Sequence, residues 1–190
     1  YVEYEDIPAY FVTAMVSIED KKFYKHNGID YKAIFRAAKA IIQDGTISQG
    51  GSTITMQLAR TIYLDTNKTW QRKVKEMFIA TEMEKRYSKN QIMEFYLNNI
   101  YFANGYYGIQ AASKGYFDCD ISELDLSQVA FLCAIPNSPT YYDPLVNSGH
   151  TITRRNRILL NMYEDGKISE KMYNEAVNEQ IIINVPQKKD

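Results

Sequence analysis

Apolar residues recur at three- and four-residue steps along almost the whole chain, the repeat of an α-helix that buries one face. Val12, Met15, Val16 and Phe23 follow such a stripe behind Pro8, whose fixed φ suits a first helical turn. A second helix is predicted from Asp30, a good N-cap, to near Gly45, with Ile34, Ala37, Ala38, Ile41 and Ile42 as its stripe. Gly50 and Gly51 form a loop, and Ser52 is set to cap a helix reaching about residue 63. Further helices are predicted over about 69–87, from a cap at Ser88 to about 102, near 109–117, near 125–135 before Pro136, near 151–164 and near 169–179. PNSPTYYDP reads as a loop. Only the tail IIINV alternates like a strand, and no internal repeat is visible. The pattern predicts one mainly α-helical domain over 1–180 and a tail or start of linker over 181–190.

Composition narrows this further. With 190 residues, 45% of them hydrophobic, and only 9 Gly and 5 Pro, the chain is neither disordered nor fibrous. Lys and Arg number 22 against 23 Asp and Glu, so no basic surface for nucleic acid is indicated. The longest apolar run, 129–135, falls far short of the ~20 residues that cross a bilayer. The first residues, YVEYEDIP, show no signal peptide, and a start at Tyr1 rather than Met reads as a segment of a longer protein. Cys119 and Cys133, with only two histidines, make a zinc site improbable and read as two buried thiols.

Four places could carry chemistry. Glu19 shares the helical face of Met15, Val16 and Phe23. It is either a helix-edge residue paired with Lys22 or a partly buried carboxylate suited to general acid or base work. Asp20 beside it could meet a cation, a metal or a neighbouring loop, and His26 is either structural or a ligand. QGGSTITMQLAR puts two glycines before a capped helix, with Gln57 and Arg60 one and two turns in. It is either a plain capped loop or an anion site at a helix N-terminus. Glu76, with Arg72 and Lys73 at i−4 and i−3, has the spacing of an exposed salt-bridge ladder, which is the better reading of the segment alone, although Arg72, Lys73 and Lys75 beside a carboxylate can hold a diphosphate. Lys32, Arg36, Lys39 and Gln43 give the 31–43 helix one basic face, which is that of many soluble amphipathic helices or of a helix lying on an anionic membrane. No GxSxG, HExxH, GxGxxG, Walker or EF-hand motif is present.

Taken in order, IEDKKFYKHNGID (18–30), GGSTITMQLAR (50–60), RKVKE (72–76), EFYLNNIYF (94–102) and RRN (154–156) resemble the peptidoglycan glycosyltransferase domain of class A penicillin-binding proteins and monofunctional glycosyltransferases. The resemblance implies a lysozyme-like, mainly helical fold, with a large lobe and a smaller membrane-facing jaw around a groove. It implies polymerisation of lipid II into β-1,4-linked strands by inversion, with undecaprenyl diphosphate leaving. On that pattern Glu19 matches the general base, and Glu76 matches the second acidic residue of the catalytic pair, which positions substrate or assists the leaving diphosphate. Gln57, Arg60 and Lys73 match donor-side positions near the diphosphate. Arg72 belongs to the same substrate-binding cluster, and Asp20, His26 and Ser52 match residues that shape the site. No cofactor is required by the resemblance, and Mg²⁺, used by some members, would fall near Glu76. The implied partners are lipid II, the growing glycan strand, the bacterial membrane surface and moenomycin-type inhibitors. The implied location is the extracytoplasmic face of the cytoplasmic membrane, through an anchor outside this chain. Met56, Arg60, Ala103 and Gln128 depart from the residues common in the family, and Met56 puts one polar contact in doubt. The nearest alternative is a lysozyme-like hydrolase with Glu19 as general acid.

Overall fold

The computed structural model describes residues 1–44, 50–63 and 70–184. These fall into two compact units, Tyr1–Ile18 with Ile100–Asp190, and Glu19–Asn99. Among the described residues the regular structure is helical: α1 (Ala9–Glu19), α2 (Tyr31–Asp44), α3 (Ile54–Tyr63), α4 (Trp70–Arg86), α5 (Lys89–Asn99), α6 (Ile109–Phe117), α7 (Leu126–Ala134), α8 (Ser148–Glu164) and α9 (Glu170–Asn178). No strand forms among them, the described part of the IIINV tail included. Gly45, Gln49, Thr69 and the whole VPQKKD tail, on which expectations rested, lie outside the described residues, as do the side chains of Ile41 and Gln43.

The first unit is built round α7. The apolar run read from the sequence is its centre, with every residue from Val129 to Ile135 buried. Asp125 caps it reciprocally with Gln128: the Asp125 carboxylate accepts the Gln128 N–H at 2.8 Å, and the Gln128 amide oxygen accepts the Asp125 N–H at 3.1 Å. Gln128 therefore keeps the capping box that a Glu would make. Arg155 of α8 is buried and donates to Ser127 Oγ (3.0 Å), the Glu179 carbonyl (2.9 Å) and the Val177 carbonyl (2.9 Å). Ser127 Oγ in turn donates to the Ala176 carbonyl at 3.0 Å, so one guanidinium ties α7, α8 and the end of α9 together. Cys133 is buried, but Cys119 is only half-buried, which corrects the reading of two buried thiols.

In the second unit α3 packs against α4 and α5 round Leu58, Ala59, Met83, Ile92 and Met93. Met56 is fully buried in this core, so an apolar side chain suits the position. Asp30 caps α2, its carboxylate accepting the Ala33 N–H at 3.1 Å. Burial pushes that carboxyl up, but the backbone N–H groups of Ala33 and Lys32 and the charge of Lys22 outweigh it and hold it below the ordinary carboxylate range.

Several boundaries differ from the sequence reading. α1 ends at Glu19, and Phe23 lies in a separate 3-10 turn, Phe23–Lys25, because Asp20 leaves the helix to bind elsewhere. α3 starts at Ile54, and its cap is Thr53, whose hydroxyl accepts the Met56 N–H at 3.1 Å, rather than Ser52. α5 stops at Asn99, short of residue 102, where Ala103 and Asn104 take left-handed φ values of 63° and 50°. α8 begins at Ser148, three residues before the expected start.

Candidate active site

All nine site residues singled out from the sequence lie in the second unit, and most of them converge on α3. At its N-terminal end, Asp20 Oδ2 accepts the Ile54 N–H at 3.0 Å and faces His26 Nε2 at 2.8 Å. The Gly28 N–H donates to His26 Nδ1 at 3.1 Å, which fixes the imidazole hydrogen on Nε2, where it is donated to Asp20. The anion at this helix start is thus internal: Asp20 binds a neighbouring loop, as one of its alternatives had it, and His26 is its structural partner. Gly28 has φ +89°, and a Cβ there would stand 2.8 Å from the Ala80 carbonyl oxygen of α4. Its own carbonyl accepts the Thr53 hydroxyl at 2.6 Å.

One turn further along, Gln57 donates to Glu19 Oε2 at 3.0 Å and accepts from the Tyr96 hydroxyl at 3.1 Å. Because the phenol can donate only to the amide oxygen, Tyr96 turns the Gln57 NH₂ toward the carboxylate. Glu19 is half-buried, and the nearby Lys22 pairs with Asp30 at 3.6 Å.

A second turn along, Arg60 Nη1 stands 4.0 Å from Glu76 Oε1. Glu76 is 0% exposed, which overturns the surface-ladder reading. Its Oε1 faces Arg72 Nε at 3.2 Å and its Oε2 accepts from Lys73 Nζ at 2.9 Å. Lys73 also donates to Ser52 Oγ at 2.5 Å, which is what Ser52 does in place of capping α3. A buried carboxylate is tolerated here because cations surround it. Three positive groups against one negative leave the cluster with charge to spare for an anion. Among the described residues no three acidic, histidine or cysteine side chains converge to hold a metal ion.

Two helices of this unit carry exposed apolar stripes. On α4, Trp70, Val74 and Phe78 lie at four-residue steps on the side opposite Arg72, Glu76 and Ala80. On α2, no described side chain is buried, and Tyr31, Phe35 and Ile42 stand exposed beside Lys32, Arg36 and Lys39.

Sequence reasoning gave no role to Tyr96, Thr53 or Gly28. Tyr96 lies inside EFYLNNIYF, but its hydroxyl meets Gln57 across 39 positions of sequence, and no local spacing announces that.

The transglycosylase family profile matches residues 1–163. The chain is 39% identical over 189 residues to penicillin-binding protein 4 of Bacillus subtilis and 42% identical over 188 residues to penicillin-binding protein 1A of Aquifex aeolicus. Those alignments cover 100% and 99% of this chain but 30% and 26% of the two relatives, so it spans under a third of their length. A monofunctional glycosyltransferase of Staphylococcus epidermidis is 39% identical, over 94% of this chain and 69% of its own. In structure, the chain resembles penicillin-binding protein 1A of Haemophilus influenzae with a TM-score of 0.56 at 20% identity, over 96% of this chain and 18% of the other.

Proposed function

The chain belongs to the transglycosylase family, and on that premise we propose that it is a peptidoglycan glycosyltransferase that polymerises lipid II into β-1,4-linked glycan strands. The observation that carries this reading is that a half-buried carboxylate, Glu19, and a cationic cluster at Glu76 are tied to the same helix, through Gln57 and Arg60.

In the proposed reaction the Glu19 carboxylate takes the proton of the acceptor GlcNAc 4-hydroxyl. That oxygen attacks C1 of the donor MurNAc from the face opposite the diphosphate, and the C1–O bond breaks with its electron pair on undecaprenyl diphosphate. Gln57, aimed by Tyr96, keeps the carboxylate oriented toward the hydroxyl. Arg60, Arg72 and Lys73 take up the charge that develops on the leaving group, and Glu76 holds these cations in register. Asp20, His26 and Ser52 set the positions of the α3 start and of Lys73. A placed base contributes about 10²–10⁴ in rate, and alignment and charge neutralisation supply the rest. The donor set at Glu76 does not suit Mg²⁺, because its oxygens face cations and a hard cation needs several oxygen ligands, so no step runs through a metal.

No helix among the described residues is long and apolar enough to cross a membrane. The exposed stripes of α2 and α4, with Lys32, Arg36 and Lys39 beside the first, fit a lipid surface, so this unit acts as the membrane-facing part. The work is then done at the extracytoplasmic face, where lipid-linked substrate and growing strand are met and where moenomycin-type inhibitors compete for the donor cluster.

Glu19→Gln tests the reading in a lipid II polymerisation assay. It removes a proton acceptor with little change of volume, so turnover is expected to fall by at least about 10² while binding of a moenomycin-type inhibitor stays within about threefold. Retained turnover would remove the base. Reducing ends released from peptidoglycan, without polymer from lipid II, would make the chain a hydrolase instead.

A further inference from the structure

The RRN segment plays no part in the chemistry above, and its two arginines do different things. Adjacent residues on a helix point about 100° apart. Arg155 turns inward onto backbone carbonyls, whereas Arg154 lines a cleft of about 260 Å³ on the first unit with Arg157, Thr153, His150, Tyr141 and Tyr142. The four α8 residues stand at i, i+3, i+4 and i+7, so one face of α8 makes one wall. The Pro-rich loop supplies the other.

That second wall is held in place before any ligand arrives. The Tyr141 ring lies flat on His150 at 4.3 Å and edge-on to Tyr142 at 4.9 Å, and the Arg154 guanidinium covers Tyr142 at 5.2 Å. Thr151 Oγ1 donates to the Tyr142 carbonyl at 3.0 Å, fastening loop to helix. Rigid aromatic walls lower the ordering cost of binding. Among the described residues the lining holds two guanidinium groups and no carboxylate, which favours an anion, and Arg matches the planar fork of a carboxylate. Tyrosine faces and tips match a pyranose, apolar on its C–H face and hydroxylated at its rim. The volume lies below the ~300 Å³ at which drug-sized pockets begin, so it takes one ring.

We propose that this cleft binds a single carboxylate-bearing pyranose, its ring against Tyr141 and Tyr142 and its carboxylate on Arg154 and Arg157. The proposal uses none of the residues assigned to the chemistry at Glu19 and survives if that assignment fails.

Titration of the 190-residue chain with N-acetylmuramic acid, N-acetylglucosamine and inorganic phosphate, followed by NMR, tests it. Saturable binding of the acid at millimolar levels is expected, with the uncharged sugar and phosphate each at least about tenfold weaker. Arg157→Gln, at an exposed position that leaves the fold intact, should weaken the acid at least about threefold, and Arg154→Gln with Arg157→Gln about tenfold. Glu19→Gln should change nothing. Absence of binding, or an affinity untouched by Arg157→Gln, overturns the site. Equal binding of phosphate reduces it to an anion site and overturns the sugar, and loss through Glu19→Gln alone places the sugar elsewhere and overturns it too.

Discussion

Replacing Gly28 by Ala tests how tightly the Asp20–His26 loop is pressed onto α4. Gly28 has φ +89°, a conformation that costs a residue with a Cβ about 1–2 kcal/mol. The new Cβ would also stand 2.8 Å from the Ala80 carbonyl oxygen and 2.9 Å from its carbon, both backbone, so no side chain can swing away. Ordinary contact begins near 3.4 Å, and reaching it demands a shift of about half an ångström. That shift strains the 3.1 Å bond to His26 and the 2.6 Å bond from Thr53, each worth about 1 kcal/mol. The total is about 3–4 kcal/mol, or a fall in Tm of about 6–16 °C for a chain of this length. Gly50→Ala, with nothing within 4 Å and no left-handed φ, is the control and should stay within about 2 °C. Calorimetric melting of the two variants decides. If Gly28→Ala also melted within about 2 °C of the parent, the close approach to Ala80 would carry no energy and the anchoring argument would be wrong.

Lys73→Ala removes the bridge from Ser52 to Glu76, and should raise the KM for lipid II and lower kcat together, by about tenfold or more in kcat/KM in a polymerisation assay. An unchanged KM would take Lys73 out of the donor site. Arg155→Leu leaves Ser127 and two carbonyls without their buried donor, and thermal melting should show a loss of about 2–4 kcal/mol while moenomycin binding is unaffected. The Glu179 carboxyl is pushed up by burial and by the neighbouring Asp125, partly offset by Arg155. A raised folded value means that its contribution is present below the ordinary value of 4.5 and lost as pH rises through the folded one. Glu179→Gln should therefore raise Tm at pH 7 and leave it near the parent's at pH 4, and a Tm that falls at pH 7 would contradict this.

The helices were legible because their apolar stripes and caps are local signals. Asp30, Ser88 and Asp125 stand where the chain says helices begin, and Ser88 Oγ accepts the Gln91 N–H at 3.2 Å as a cap should. Misplaced ends trace to competition from distant partners. Asp20 leaves the helix to accept the Ile54 N–H, which takes Phe23 off the α1 stripe, and Ser52 gives up capping because Lys73 claims its hydroxyl. The burial of Glu76 was illegible for a sharper reason. Arg at i−4 and Lys at i−3 look the same on a wet helix and on a buried one, and only the approach of α3 decides which. The Arg60 contact lies 16 positions away in sequence, beyond any periodic signal.

What organises the proposed site is the economy of α3. Ile54, Gln57 and Arg60 stand at three-residue steps, so the contacts to Asp20, Glu19 and Glu76 fall along about 9 Å of a single helix. Between them Thr55, Met56, Leu58 and Ala59 are buried, which fixes the helix in rotation as well as in position. The spacing from proposed base to proposed cation cluster is then set by backbone geometry rather than by side-chain flexibility, as alignment of two sugars requires. On the proposed mechanism, substitutions at Asp20, His26 or Thr53 are expected to lower turnover through the start of this helix, which a polymerisation assay would read as a fall in kcat.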